Sequence, residues 1–143
     1  MAAHLILVEN PKDWHADYPE LPLVSARDYL LNPADYKARG TRVVNLCRGY
    51  GYLSTGYYCS LLAEARRHRV MPTVKALRDL SRKSLYQSLL TDIKTFPDKT
   101  TGGRLKLTIE SYFGRPPSKA FTDIARQIFA RLPFPALSIQ FTR

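Results

Sequence analysis

The chain has few of the residues from which catalytic and metal sites are built. Its three histidines, His4, His15 and His68, stand without the spacing of metal ligands. Its acidic residues are spread singly, with no neighbouring pair to hold Mg²⁺ at a phosphate, and residue order supports no Ser-His-Asp or Cys-His arrangement. The sequence therefore predicts no catalytic residue, no metal site, no cofactor and no enzymatic activity for these 143 residues alone.

Cysteine and long apolar runs are also scarce. Two cysteines, Cys47 and Cys59, do not make a disulfide framework in a chain of this size, and no apolar run approaches the roughly 18 residues that span a bilayer. The N-terminus lacks the features of a secretory signal. These absences predict a cytoplasmic protein with no membrane partner and two buried thiols, with a reactive Cys47 beside Arg48 as the alternative.

Negative charge is the third shortage. The chain has 22 Lys and Arg residues against 12 Asp and Glu residues, a formal net charge of +10. Such a balance favours an anionic partner such as nucleotide phosphate, nucleic acid or an acidic peptide, and a solvated basic surface is an equal alternative. The run Arg66, Arg67, His68 and Arg69 is interpreted as the solvated, charged end of a helix.

Residues 41–74 carry the most informative pattern. An apolar run over Thr41–Cys47 predicts a strand that is buried on both faces. A glycine-rich turn then leads into apolar positions at helical spacing, which predict a helix over Gly56–His68. Val70–Val74 resumes as a strand that must be short or at an edge, because it contains Pro72. This succession predicts a Rossmann-like βαβ unit at the centre of the fold.

The rest of the chain adds strands and helices of mixed burial. Apolar residues at helical spacing predict a helix over Val74–Ile93, in one or two pieces broken near Ser81–Ser84. Another helix is capped by Ser118 and ended by Pro133. The early strands read as buried and the late ones as half exposed, which favours α/β, with α+β as the alternative, in a single domain with a mixed sheet of five or six strands. Further strands are predicted over His4–Glu9, Leu23–Ala26, Leu105–Glu110 and Leu137–Arg143, with a loop over Phe96–Gly103.

The glycine-rich loop between the central strand and helix is the predicted functional site. Backbone amides and a helix N-terminus at the carboxyl end of a strand suit an anionic guest. The pattern is neither a Walker A loop nor a dinucleotide fingerprint, and tyrosines beside an arginine suit a planar ligand or a partner interface. We therefore expect either substrate binding or an interface from one set of residues: Arg48, Tyr50, Tyr52, Ser54, Thr55, Gly56 and Tyr57.

The segment VVNLCRGYGYLSTGYYCSLLAEARRHRVMPTVKALRDL resembles the signature of the domain found ahead of RimK-like ATP-grasp enzymes. The likeness is carried by Asn45–Leu46–Cys47, the aromatic loop, Gly56 to Arg66, Pro72 and Asp79–Leu80. Weaker similarity covers most of residues 23 to 141. The central motif is long enough to make the resemblance specific.

The resemblance implies that residues 1–143 are a non-catalytic N-terminal accessory domain, a fragment of a longer ATP-grasp protein. That protein would be a carboxylate–amine ligase that uses ATP and Mg²⁺ to modify an amino acid or peptide. Its ATP-grasp catalytic domain would be the partner in the same polypeptide, and an acidic amino acid or peptide a possible substrate. This chain would then bind substrate or pack on the catalytic lobes. The alternative is a stand-alone basic module that binds nucleotide or RNA.

Overall fold

A computed structural model describes residues 3–14, 22–91, 106–117 and 119–142. The chain divides into two compact units, Met1–Ser81 and Arg82–Arg143. The predicted loop over Phe96–Gly103 and the predicted helix cap Ser118 lie outside the described residues. Each unit is built around its own apolar cluster.

The first unit contains a parallel four-stranded sheet in the order β2-β1-β3-β4. Apolar residues alternate along these strands, so that one face packs on helices and the other is half exposed. The helix-covered face holds the larger apolar cluster, to which Leu7, Val43, Tyr29 and Cys59 contribute. The strands are β1 (His4–Val8), β2 (Leu23–Ser25), β3 (Arg42–Asn45) and β4 (Arg69–Met71), and the helices are α1 (Ala26–Leu31), α2 (Thr55–Ala65) and α3 (Val74–Ser81).

The predicted βαβ unit is confirmed as β3, α2 and β4. β3 pairs with β1 on one side and β4 on the other, so it lies inside the sheet. β4 is a short edge strand that ends at Met71, because Pro72 has no N–H to continue the ladder. The helix ends at Ala65, before the predicted His68, and the interpretation of His68 as a solvated helix end is wrong because its side chain is buried.

In its described residues, the second unit combines two antiparallel strands with two α-helices. Ile109, Ile124 and Ile128 form its apolar cluster, with Leu137 and Ile139 packed against it. The predicted break in the helical region is confirmed, since α3 ends at Ser81 and α4 begins at Lys83. The elements are α4 (Lys83–Leu90), β5 (Lys106–Tyr112), α5 (Thr122–Arg131) and β6 (Ala136–Thr142).

The α/β class is therefore confirmed, with the strands arranged differently from the expected mixed sheet. The six strands of the described residues form one parallel sheet of four and one antiparallel pair. The prediction that β3 is buried on both faces is wrong, because Val43 and Asn45 are buried whereas Arg42 is exposed and Val44 is only half-buried.

Candidate functional site

The loop after β3 lies where a parallel sheet usually offers a crevice. β1 and β3 are neighbours, but the chain leaves β1 toward β2 and leaves β3 toward β4, on opposite sides. The carboxyl ends of β1 and β3 therefore form a topological switch point, at which ligands bind in open α/β sheets. Residues 46–54, which join β3 to α2, occupy this position.

Asn45 connects β3 to the loop and to α2 from a fully buried position. Its side-chain amide donates to the Gly56 carbonyl at 2.8 Å and to Ser60 Oγ at 3.0 Å. Its oxygen accepts the Cys47 N–H at 3.2 Å. Ser60 Oγ in turn donates to the Pro72 carbonyl at 2.7 Å. The sequence singled out Asn45 only as part of the family signature, because these partners lie up to 15 residues away.

Gly56 is needed for close packing inside the domain. A Cβ atom at this position would lie 2.0 Å from the Gly49 carbonyl oxygen, 3.0 Å from a Tyr50 ring carbon and 3.1 Å from Cys47 Cβ. The loop thus folds directly over the first turn of α2. Gly51, by contrast, has no atom within 4 Å of such a Cβ.

Arg48 makes a two-pronged ion pair with Asp13. The Nε and Nη2 atoms of Arg48 lie 2.8 Å and 2.5 Å from the two carboxylate oxygens. This contact holds the pKa of Asp13 below its usual range and raises that of Arg48. The Arg48 backbone N–H also donates to Glu9 Oε1 at 3.2 Å. The Arg48 side chain nevertheless remains 63% exposed.

Two other residues of the predicted set hold the loop in place. The Tyr50 hydroxyl donates to the Asn45 carbonyl at 2.6 Å, and burial raises its pKa. Ser54 caps α2, because its Oγ accepts the Tyr57 N–H at 3.3 Å. The same Oγ lies 3.3 Å from the Gly49 carbonyl, to which it donates.

The remaining aromatic residues lie side by side at the surface, with Tyr57 half-buried. Tyr52 is 80% exposed and Leu53 55% exposed, and Tyr58 is exposed beside them. The Tyr57 ring lies edge-on to both Tyr52 and Tyr58, with centroids 5.3 Å and 5.8 Å apart. We call Tyr52, Leu53, Tyr57 and Tyr58 the aromatic surface. Leu53 and Tyr58 were not in the predicted set, although the tyrosine cluster in the sequence included Tyr58.

A cavity of about 400 Å³ lies at the same edge of the sheet. Of the predicted residues only Thr55 lines it, together with a carboxylate and a guanidinium from other segments. Glu9 comes directly after β1, and Arg27 lies in α1. Its lining is completed by three apolar residues, so the full set is Glu9, Ala26, Arg27, Leu30, Leu31 and Thr55.

Cys47 and Cys59 are buried and free, with sulfur atoms 4.0 Å apart. Their burial agrees with the prediction of two small buried side chains. Among the described residues, no group of three or more His, Cys, Asp or Glu side chains could hold a metal ion. In the same part of the chain, no helix has both the length and the apolar character needed to cross a membrane.

The chain belongs to the family of RimK-like ATP-grasp N-terminal domains, whose family model matches residues 26–143. The predicted resemblance is thereby confirmed. The match begins at α1, so Glu9 and Asp13, which hold Arg48, precede it. The family description implies association with an ATP-grasp domain in the same polypeptide. No curated protein and no solved structure shows significant similarity to the chain.

Proposed function

We propose that this chain is the non-catalytic N-terminal domain of a RimK-like carboxylate–amine ligase and that its aromatic surface packs on the ATP-grasp lobes. The observation that carries the proposal is the exposure of Tyr52 and Leu53 next to a loop whose other side chains are used internally. Tyrosine and other aromatic residues are enriched in the centres of protein interfaces, where water is excluded.

The conformation of Leu53 supports an external contact. Its φ of 65° lies in the left-handed region, where a residue other than glycine costs about 1 kcal/mol or more. Asparagine or glycine would fit the backbone better, and Leu53 is 55% exposed. A leucine at this position is therefore best explained by apolar surface that it offers to a partner.

ATP and Mg²⁺ would bind to the ATP-grasp lobes of the longer polypeptide, in the cytoplasm. The reaction would join a carboxylate, activated by ATP, to the amine of an amino acid or peptide. The present chain would supply neither a metal ligand nor a phosphate-binding lysine. Its contribution would be to position or stabilise the lobes.

A contribution to substrate binding is the second candidate, and the cavity beside Thr55 favours it. Glu9 and Arg27 place opposite charges in its lining, which suits a small molecule or peptide end that carries an ammonium and a carboxylate group. Replacing Arg27 by Gln in the longer polypeptide would then raise the substrate KM and leave thermal stability unchanged. An unchanged KM would contradict this candidate.

The interface is tested with a double variant that carries both Tyr52→Ser and Leu53→Asn. Its thermal stability is measured in the isolated chain and in the polypeptide that includes the ATP-grasp region. In the isolated chain its Tm should stay unchanged or rise, because asparagine tolerates the left-handed conformation. In the polypeptide that includes the ATP-grasp region its Tm should fall, because the interface loses apolar area. Thermal unfolding followed by fluorescence or calorimetry measures both.

The second unit offers a matched control. Tyr112 and Phe113 are also adjacent and exposed, and Phe113 has a φ of 51°. A double variant that carries both Tyr112→Ser and Phe113→Asn removes a comparable exposed apolar surface. We expect its Tm change to be the same in the isolated chain and in the longer polypeptide. The proposed interface would be contradicted if the Tyr52 and Leu53 variant changed Tm equally in the isolated chain and the longer polypeptide. It would also be contradicted if both double variants lowered the Tm of the longer polypeptide equally.

A further inference from the structure

Two basic segments that are distant in the sequence lie side by side at the amino edge of the parallel sheet. Residues 37–42 (KARGTR) and 66–69 (RRHR) contain no acidic residue. The Gly40 N–H donates to the Arg67 carbonyl at 3.2 Å, and the Arg69 N–H donates to the Thr41 carbonyl at 2.8 Å. Arg42 and Arg69 are direct register partners on β3 and β4.

Among the described residues, the cations of these segments form no ion pair with an acidic side chain. We call Lys37, Arg39, Arg42, Arg67 and Arg69 the basic edge, and all five are exposed. Within the described part of the chain, both ion pairs lie elsewhere, on other cations. Neighbouring strands are only about 4.8 Å apart, so the charges of Arg42 and Arg69 repel each other.

Arg67 adds a backbone observation to this charge pattern. α2 ends in a Schellman motif, in which the His68 N–H donates to the Ala63 carbonyl at 2.9 Å and the Arg67 N–H to the Glu64 carbonyl at 3.0 Å. Arg67 takes the left-handed position, with a φ of 60°. Glycine usually occupies this position, because it has no Cβ to oppose the conformation. An arginine here therefore costs stability and extends the basic edge.

The dipole of α2 explains the position of only some residues of the basic edge. Cations near the C-terminus of α2 are favoured by the dipole, which accounts for Arg67. Arg42 begins a strand, and Arg39 lies in the turn before it, so neither is placed by a helix end. Arg66, in contrast, already donates to the carbonyls of α1 residues and is not part of the basic edge.

We propose that the basic edge binds the phosphate backbone of a nucleic acid. Four of its five residues are arginines, whose planar guanidinium group binds phosphate through two parallel hydrogen bonds. Residues 37–42 and 66–69 include no large exposed apolar side chain, so the basic edge lacks the apolar centre of a protein interface. Contacts of this kind position a nucleic acid without reading its sequence. The edge lies opposite the aromatic surface, so this inference is independent of the proposed function.

The test measures binding of a labelled RNA hairpin and a mixed-sequence DNA duplex by fluorescence anisotropy over a range of salt concentrations. The triple variant Arg39→Gln, Arg42→Gln and Arg69→Gln should lower affinity at low salt by about tenfold or more. For the DNA duplex it should also reduce the slope of log K against log salt by about 2 to 3, because each phosphate contact contributes about 0.9.

A triple variant of equal charge serves as the control. Arg78, Arg115 and Arg126 are exposed and lie outside residues 37–42 and 66–69, and replacing all three by Gln lowers the net charge equally. We expect it to retain most of the affinity and the slope. Equal losses for the two triple variants would show attraction to net charge alone and would overturn the proposal.

Arg67→Gly separates binding from folding. It should weaken nucleic-acid binding and leave Tm unchanged or raised, because glycine suits the left-handed position. Labelled poly-glutamate is the competing probe. Absence of nucleic-acid binding at low salt, or tighter binding to poly-glutamate than to either nucleic acid, would assign the edge to an acidic polypeptide and refute the proposal.

Discussion

His68 has an environment unlike that of an exposed histidine. Its side chain is buried, and its Nδ1 lies 2.7 Å from the Tyr29 hydroxyl. Burial lowers the pKa of His68 below 6.5, a contact with a backbone group of Tyr36 opposes the shift in part, and the charge of Arg66 adds to it. The folded state therefore favours the neutral imidazole.

Stability should fall as the pH decreases below about 6.5. The unfolded chain binds a proton at His68 before the folded chain does, so the free energy of unfolding decreases until the lower, folded-state pKa is passed. Above the unfolded-state pKa both states are neutral, and the stabilisation is complete. Urea unfolding at pH 7.5 and pH 5 measures the effect, in a window above the titration of most carboxyl groups.

His68→Gln should remove part of this pH dependence, because glutamine does not titrate. His4→Gln is the control, since His4 is exposed at the start of β1. If His4→Gln and His68→Gln changed the pH dependence by the same amount, burial of His68 would not be its source.

Residue types in the loop after β3 were predictable, but their partners were not. The sequence predicted that Arg48 binds a substrate anion or lies at an interface, and in the structure its guanidinium pairs with a carboxylate of the same chain. The anion is Asp13, which is 35 residues away and belongs to a segment for which the sequence indicated no partner. Hydrogen-bonding capacity follows from a side chain alone, whereas the choice of partner depends on how β1 and β3 pair.

At the scale of elements, the junction between the loop and α2 depends on one glycine. Gly56→Ala would force a Cβ against the Gly49 carbonyl oxygen, a backbone atom that cannot rotate away. We expect it to lower the free energy of unfolding by about 2–3 kcal/mol, as overpacking in a tight core does. Chemical denaturation of the isolated chain measures the change.

Gly51→Ala is the matched control for this prediction. Its Cβ would meet no atom within 4 Å, and its backbone is not left-handed. We expect a stability change between zero and a gain of about 1 kcal/mol, because alanine restricts the unfolded chain. Similar losses for both variants would mean that close packing at Gly56 is not the reason for its glycine.

Elements were predicted where side-chain periodicity is strong. β3 and α2 were both found from the change between an apolar run and helical spacing, with errors of a few residues at their ends. The end of α2 was misplaced because the Schellman motif uses Arg67, and no glycine marked the stop. The break before Lys83 was found because Ser81–Ser84 interrupts the apolar spacing.

At the scale of the molecule, an excess of positive charge opposes compaction. The net charge of +10 concentrates partly on the basic edge, whose cations form no ion pair within the described part of the chain. Raising NaCl from about 0.01 M to about 0.1 M shortens the Debye length from about 30 Å to about 10 Å and screens this repulsion. We therefore expect Tm to rise with salt over this range, as thermal unfolding will measure.

The two triple variants make that prediction specific. Replacing Arg39, Arg42 and Arg69 by Gln should reduce the salt dependence of Tm, because clustered charges repel most strongly. The Gln variant at Arg78, Arg115 and Arg126 should reduce it less. A Tm that falls with salt would instead show that attractive ion pairs dominate. Net charge could be counted in the sequence, but its clustering could not, since residues 37–42 and 66–69 meet only when β3 pairs with β4.

The buried amide of Asn45 has a consequence for the direction in which α2 presents its side chains. Apolar contacts are non-directional, so they restrict rotation of a helix about its axis less strictly than hydrogen bonds do. The hydrogen bonds from Asn45 to Gly56 and Ser60, and from Ser60 to Pro72, are directional and fully paired. They fix the rotation of α2 about its own axis relative to β3. The direction in which α2 presents Tyr57 and Tyr58 is thereby fixed as well.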